Sequence, residues 1–533
     1  MELKLSDLKE KAVWERADIR LPEYDIEGMR EKTAKSPKWI HFGAGNIFRG
    51  FIAGLQNSLL NEGSDDTGII AAENFDCEII EKIFEPFDNL TLDVTLMADG
   101  GTLCRVNASI AEALRGDMQS RRIYEIFENP SLQLASFTVT EKGYSITGAD
   151  GSIIKPLKAD MEQEPDKAAY SMGIVTAGLY HRYKAGAYPI AMVSMDNCSQ
   201  NGDKLKACII AIGAAWQKNG FADEGFIDYL ENTVTYPWSM IDKITPRPAE
   251  VVEKILKERG LEGMQPVITS KGSYTAAFVN AEKAEYLVIE DKFPNGRPAL
   301  EKAGVYMTDR ETVEKTERMK VTTCLNPLHT AMSIYGCLLG YTSIYKEMAD
   351  AEIVALIKRL GYVEGLPVVE NPGILSPKAF LDQVMKERLP NPFIPDMPQR
   401  IATDTSQKIA IRFGETVKSY MERGLDMDEL IAVPLAIAGW FRYLLAVDDM
   451  GEPMEVSADP LKDDMQARLK SIKWNDKNSY SGELKDILPD AGIFGVDLKA
   501  AGLADKIEGY FTEMLGGSGA VRGVLEVQLK IES

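Results

Sequence analysis

The stretch KWIHFGAGNIFRGFIAGLQNSLL, residues 38–60, limits what this chain can fold into more than any other. Trp39 to Phe42 reads as a short strand that runs straight into glycines. Beyond them Ile47, Phe48, Phe51, Ile52, Leu55 and Leu59 recur at helical spacing. A strand turning through Gly43 and Gly45 into a helix is the opening unit of a dinucleotide-binding fold. The first glycine permits the tight turn and the second lets main chain approach a pyrophosphate. The helix N-terminus then offers N–H groups to the phosphates. Gly50 stands two positions later than the third glycine of the common GxGxxG pattern. The next apolar run, TGIIAAE, ends on Glu73. A carboxylate there would bond a ribose 2′-hydroxyl and repel a 2′-phosphate, so NAD is expected in preference to NADP.

Further strands are expected in 132–140 and 188–195, the latter after a helix over 168–182, with a short strand at 286–290. Strands alternating with helices imply a parallel, doubly wound sheet. From about residue 300 helical patterns dominate: 310–324, 328–340, 349–360, 404–423 and 427–446. The terminal VLEVQL reads as a strand, and residues 1–36 as a polar surface wrapping. The fold class expected is therefore α/β, a Rossmann-type sheet domain followed by a mostly α-helical C-terminal domain. The turn-rich DKFPNGRP puts the boundary between a dinucleotide-binding domain over 1–290 and a helical substrate-binding domain over 291–533.

A chain of 533 residues is too long for one core, which agrees with two domains. Its net charge of -21 argues against nucleic acid as a partner, since phosphate binding needs a basic face. A small anion is not excluded, because a few local cations outweigh the global field at contact range. The six cysteines form no CxxC pair and suit reduced thiols in a cytoplasm. The charged N-terminus does not read as a signal peptide. The apolar segment 430–447 carries Pro434 and Arg442, and reads as a buried helix and not a membrane span. Oligomeric state is not readable.

The second informative stretch is MKVTTCLNPLHT, residues 319–330, which holds one of only three histidines. Asn326-Pro327 reads as a helix start, with asparagine as N-cap and proline in the first turn. The preceding helix should end near Cys324. A break between two helices would aim Lys320, Asn326 and His329 at one point. Oxidation of an alcohol to a ketone needs a base, which a lysine can be, and donors for the developing oxyanion, which asparagine amides supply without charge. The plain alternative is a cap, a core histidine and a solvated lysine. Zinc bound through Cys324 and His329 is the other reading, but no CxxC or HxxxH completes a ligand set, and no metal is expected.

These stretches together resemble the long-chain mannitol dehydrogenase family. The matches run in family order from HFGAGNIFRGF through TVTEKGY (138–144), SMDNCSQNGD (194–203), IDKITP (241–246), FPNGRPALE (293–301) and the lysine–asparagine–histidine stretch, to PNPFIPDMPQRIATDTSQK, which ends at Lys408. The resemblance implies a zinc-independent dehydrogenase linked to NAD(P), with its active site in a cleft between the two domains. It implies Lys320 as general acid/base, Asn197 and Asn326 as the oxyanion site, and Glu317 in proton passage. His329, Asp242, Arg400 and Lys408 would contact substrate. Asn46, Phe48, Arg49, Thr140 and Glu141 would lie along the cofactor with Gly43, Gly45 and Glu73. Two departures stand out: five residues, VTTCL, separate Lys320 from Asn326 where the family has four, and Pro327 replaces a glycine. Lys243 stands where the family has arginine, which keeps the charge but loses the bidentate fork. The wording of IFRGF and TVTEKGY is closest to the uronate reductases, implying reduction of D-fructuronate to D-mannonate. Tagaturonate reduction and mannitol 2-dehydrogenation are the alternatives, and a catalytically inactive NAD-binding protein is the alternative of another class.

Overall fold

A computed structural model describes residues 1–530. The chain divides into two compact units, Met1–Met97 with Gly101–Glu314, and Ala98–Gly100 with the residues from Lys315 onward. The first unit runs on past the expected limit at 290 because the strand Tyr306–Thr308 pairs parallel with Tyr286–Glu290.

The main sheet of the first unit has six strands: β1 (Trp39–Phe42), β2 (Ile69–Glu73), β3 (Ile110–Arg115), β4 (Leu134–Phe137), β5 (Ile190–Ser194) and β6 (Val234–Thr235). Their order is β3-β2-β1-β4-β5-β6, and every pairing is parallel. This is the doubly wound arrangement, whose order reverses between β1 and β4. All four residues of β1 are buried because both faces are covered. Ile40 and Phe42 face one apolar cluster with Phe127, Met172, Leu205 and Trp216 from the flanking helices. Trp39 faces the other, with Phe51, Leu55 and Leu59.

Two sequence expectations fail here and one strand is unexpected, each for an identifiable reason. The strand β3, IAEALR, carries helix-favouring residues and was not foreseen; pairing with β2 overrides its propensity. The terminal VLEVQL lies in the helix Ala520–Leu529, whose Val521, Val524 and Leu525 are buried at helical spacing. Residues 1–36 are no loose wrapping: Leu3 and Trp14 are fully buried, and Ile19–Arg20 pairs with Cys104 and Arg105 in a second sheet.

The second unit is helical. Its central helix, Ala432–Leu444, is buried at every residue, as its apolar run requires. Burial obliges its ends to be satisfied from within. Glu364 accepts from the N–H groups of Ile431, Ala432 and Val433 at 2.7–2.9 Å. At the other end Gln466 Nε2 donates to the Leu444 carbonyl at 2.9 Å, and the buried Arg442 to the carbonyls of Val447 and Asp448 in the loop beyond. Among the described residues no helix is long and apolar enough to cross a membrane.

Glu347 is the opposite case. It is fully buried and neither carboxyl oxygen has a hydrogen-bond partner. Burial, and then the charge of Asp350, push its carboxyl up from 4.5 to about 9. Between those values the folded chain keeps a proton that the unfolded chain releases, so stability falls as pH rises through that window. Glu347→Gln keeps the shape and removes the titration. Thermal melts should show the variant more stable than the parent at pH 8, by a few kcal/mol at about 1.4 kcal/mol per unit. The gain should vanish near pH 4.5; an equal difference at both pH values would refute the account.

Candidate active site

The site is built outward from the reversal between β1 and β4, where a doubly wound sheet opens a crevice at its carboxyl edge. Gly43 has φ +101°, and a Cβ there would sit 2.4 Å from the Thr138 carbonyl oxygen. Only glycine can occupy that position. A relay of side chains locks the two strand ends together. Trp39 Nε1 donates to Ser136 Oγ at 2.6 Å, and Ser136 Oγ lies 2.6 Å from His41 Nδ1. His41 Nε2 lies 2.9 Å from Thr138 Oγ1, whose hydroxyl points to the Gly43 carbonyl. The chain of donors is consistent with an Nε2-protonated imidazole. Burial holds His41 neutral by lowering it to about 3. The sequence reading passed over this histidine, because one polar residue within a strand gives no pattern.

Two observations fit this turn to a dinucleotide. Apart from its own chain neighbours, nothing lies within 4 Å of where a Cβ on Gly45 would stand, so the main chain there is open to a ligand. Both amide atoms of Asn74, directly after β2, are buried without a hydrogen-bond partner. Glu73 ends β2 as expected, but its carboxylate is already engaged. Oε2 accepts from Ala44 N–H at 2.7 Å, and Oε1 from Phe75 and Asp76 N–H at 2.8 and 3.0 Å. Three of about four acceptor positions are taken, leaving one for a ribose hydroxyl. Phe48 and Arg49 are fully buried. Phe48 stacks on His41, and Arg49 donates to Ala276 O, Thr275 Oγ1 and Asn46 Oδ1. Their side chains pack inside the first unit and brace the turn from behind. Thr140 is exposed beyond β4, and Glu141 is ion-paired with Lys204.

Asn197 is exposed in the turn after β5, next to the buried Asp196. Asp242 ends the strand Ser239–Asp242 and is buried. The neighbouring Lys243 points back into the fold, donating to the Glu282 carbonyl at 2.6 Å and pairing with Glu285.

In the second unit Lys320 is 3 % exposed. It opens a π-turn, Lys320–Cys324, that continues the helix Arg310–Met319, with Glu317 half-buried one turn earlier. Leu325 N–H bonds the Lys320 carbonyl at 3.1 Å, five residues back. The next helix is Asn326–Leu338. Asn326 is thus its first residue and not its cap, which corrects the expected role; Leu325 precedes it and no side chain caps. His329, half-buried in the first turns, lines one small cleft with Tyr345, Arg388 and Asp396, which has room for about one water. Arg400 pairs with Asp396. Lys408 donates to the carbonyls of Ile401 and Thr403, and burial and then Arg412 lower its pKa. Arg412 reaches Thr330, one residue beyond His329. Arg388 and Arg412 were missed because no local motif marks them; only the fold brings them to this helix. Cys324 donates to the Pro377 carbonyl and burial pushes its thiol up to about 12, so it is a packing residue. Among the described residues no three His, Cys, Asp or Glu side chains are disposed to hold a metal.

Comparison with known proteins agrees with both halves. The family model for the mannitol dehydrogenase Rossmann domain matches residues 37–302, and that for the mannitol dehydrogenase C-terminal domain matches 312–515. The chain is 51% identical over 532 residues to D-mannonate oxidoreductase of Thermotoga maritima, covering 99% of this chain and 98% of that protein. Among solved structures it resembles a substrate-free D-sorbitol dehydrogenase (TM-score 0.81, 24% identity, 96% and 98% coverage). It also resembles Pseudomonas fluorescens mannitol 2-dehydrogenase in ternary complex with NAD and D-mannitol (TM-score 0.70, 23% identity, 100% of both chains). These two likenesses show the fold.

The two glycines should separate experimentally. Gly45→Ala meets nothing in the protein and should leave the melting temperature within about 2 °C of the parent, while weakening NADH binding at least about tenfold. Gly43→Ala should instead destabilise the protein itself. Unaltered NADH affinity in Gly45→Ala, followed by fluorescence titration, would remove the cofactor from this turn.

Proposed function

The chain belongs to the mannitol dehydrogenase family, and from that premise we propose that it reduces D-fructuronate to D-mannonate with NADH, reversibly. What carries the substrate assignment is the near full-length relation to a D-mannonate oxidoreductase. The Gly43–Gly45 turn, Asn74 and the remaining acceptor position on Glu73 hold the dinucleotide. A 2′-phosphate beside the Glu73 carboxylate would bring like charges together, which supports NADH over NADPH. The bound nicotinamide supplies the hydride that the keto carbon needs.

The protein's own residues handle the oxygen. Lys320 Nζ gives its proton to the ketone oxygen during reduction and takes it back from the hydroxyl during oxidation. The side-chain amides of Asn197 and Asn326 donate to that oxygen as negative charge develops on it, without adding a charge of their own. Glu317, one turn before Lys320, passes the proton on towards water. His329 orients a substrate hydroxyl. Arg400, paired with Asp396, offers a cation for the sugar acid's carboxylate. Lys408 and Asp242 complete the substrate contacts.

The test follows NADH absorbance with D-fructuronate, D-tagaturonate and D-fructose, for the parent and Lys320→Ala. D-fructuronate should turn over fastest, NADPH should serve poorly, and the lysine change should lower kcat by about 10²–10⁴, the usual worth of a general acid/base. Preference for another ketose would keep the mechanism and change the substrate. NADH binding without turnover of any of the three would make this a binding protein, and full activity in Lys320→Ala would place the proton transfer elsewhere.

A further inference from the structure

Thr140 holds φ +66° and ψ 160°, a backbone region that essentially only glycine populates. It lies just past β4, at the same reversal that Gly43 and Thr138 form. Strain of this kind persists only where the surroundings impose it, and here one side chain does so. Asp196, 8 % exposed at the end of β5, accepts from Thr140 N–H at 2.8 Å through Oδ1 and from Val139 N–H at 3.1 Å through Oδ2. The Tyr144 hydroxyl also donates to Oδ2 and is itself bonded to Ser194 Oγ at 2.9 Å. Behind Asp196, its carbonyl accepts from Asn201 Nδ2 at 3.1 Å. Asn201 in turn exchanges bonds with the main chain of Ser239. The grip on Thr140 is therefore anchored to β5 and to the strand Ser239–Asp242, and it meets the Thr138–Thr140 segment at the mouth of the crevice.

Resting on the cofactor reading above, we propose that Asp196 is a positioning residue for the dinucleotide. It forces Thr140 into a glycine-like conformation and so fixes the main chain that forms the β4 wall of the cofactor crevice. Both of its oxygens face donors. In Asp196→Asn one of them becomes an NH₂ group confronting an N–H or the Tyr144 hydroxyl, and the grip is lost on that side. Released, Thr140 returns to an ordinary conformation and the wall moves. A glycine at 140 takes the required conformation unaided, so it should make the grip largely dispensable. That coupling separates positioning from mere structural support.

The experiment is NADH binding to the full-length protein by fluorescence titration, for the parent, Asp196→Asn, Thr140→Gly, the double variant and Tyr144→Phe. Asp196→Asn should raise the Kd for NADH about tenfold in the parent background, and by less than about threefold in the Thr140→Gly background. Tyr144→Phe, which spares both backbone N–H bonds to Asp196, should raise it about two- to threefold, and it carries the test should Asp196→Asn not fold. An unchanged Kd in both Asp196→Asn and Tyr144→Phe overturns the proposal. So does an equal loss from Asp196→Asn in the two Thr140 backgrounds. A parent protein that binds no NADH overturns the function reading itself, and this proposal with it.

Discussion

The contact between Gly43 and the Thr138 carbonyl is the constraint on which the first unit is organised. The sheet order reverses between β1 and β4, so the chain leaves these neighbouring strands in opposite directions. Where they part, the two backbones lie too close for a side chain. That closeness makes the glycine obligatory and opens the crevice beyond it. It also leaves peptide groups that no ladder can satisfy. Each must find a partner among side chains, since a buried unpaired N–H costs on the order of 1–3 kcal/mol. Glu73 serves the glycine turn and the end of β2, the His41 relay serves the strand ends, and Asp196 serves the chain beyond β4.

The same device recurs and bears on the net charge of -21. Asp160 accepts from the N–H groups of Ala169 and Tyr170, Glu364 from three at the start of the central helix, and Asp449 from Val521. These are carboxylates used as internal clamps, so a share of the acidic excess is not surface field at all. The cations near His329 are similarly drawn in: Arg412 is buried enough that its guanidinium falls to about 10, and Arg388 is 3 % exposed. A global count of charges therefore says little about which sign a ligand meets. Placement decides, and placement follows from which backbone groups the fold leaves unpaired.

This also explains which features could be read in the sequence. The strand–glycine–helix unit was legible because its signals are local: an apolar run, two glycines and a 3.6-residue period. Strand β3 was not, because IAEALR becomes a strand only by pairing with β2. The helix Ala520–Leu529 was mistaken for a strand because short apolar runs carry both periods. Glu73 was placed correctly, while its three backbone bonds were invisible, since they depend on how the turn folds back. Arg49 is expected along the cofactor by the family resemblance alone, which says nothing of where its side chain goes. Only the return of Thr275 and Ala276, over two hundred residues later in the chain, shows which groups its guanidinium binds. Asp196 stood next to a residue that was singled out and drew no notice, for a clamp has no motif.

The extra residue between Lys320 and Asn326 shows why spacing counted in residues misleads. In an α-helix the carbonyl of Lys320 would bond the N–H four residues on; here it bonds Leu325, five residues on. A π-turn takes up one additional residue within a single turn, so the chain after it need not rotate by the full step an insertion would otherwise impose. Pro327 belongs to the same solution. Its ring would collide with the carbonyl four residues back if one helix ran through, so the helix must break before it. As the second residue of the new helix, it gives up an N–H that would have had no partner there. The wide turn and the proline together end one helix and start the next within the space of Leu325. The inserted residue is absorbed where the chain already has to break, and Lys320, Asn326 and His329 keep to consecutive turns.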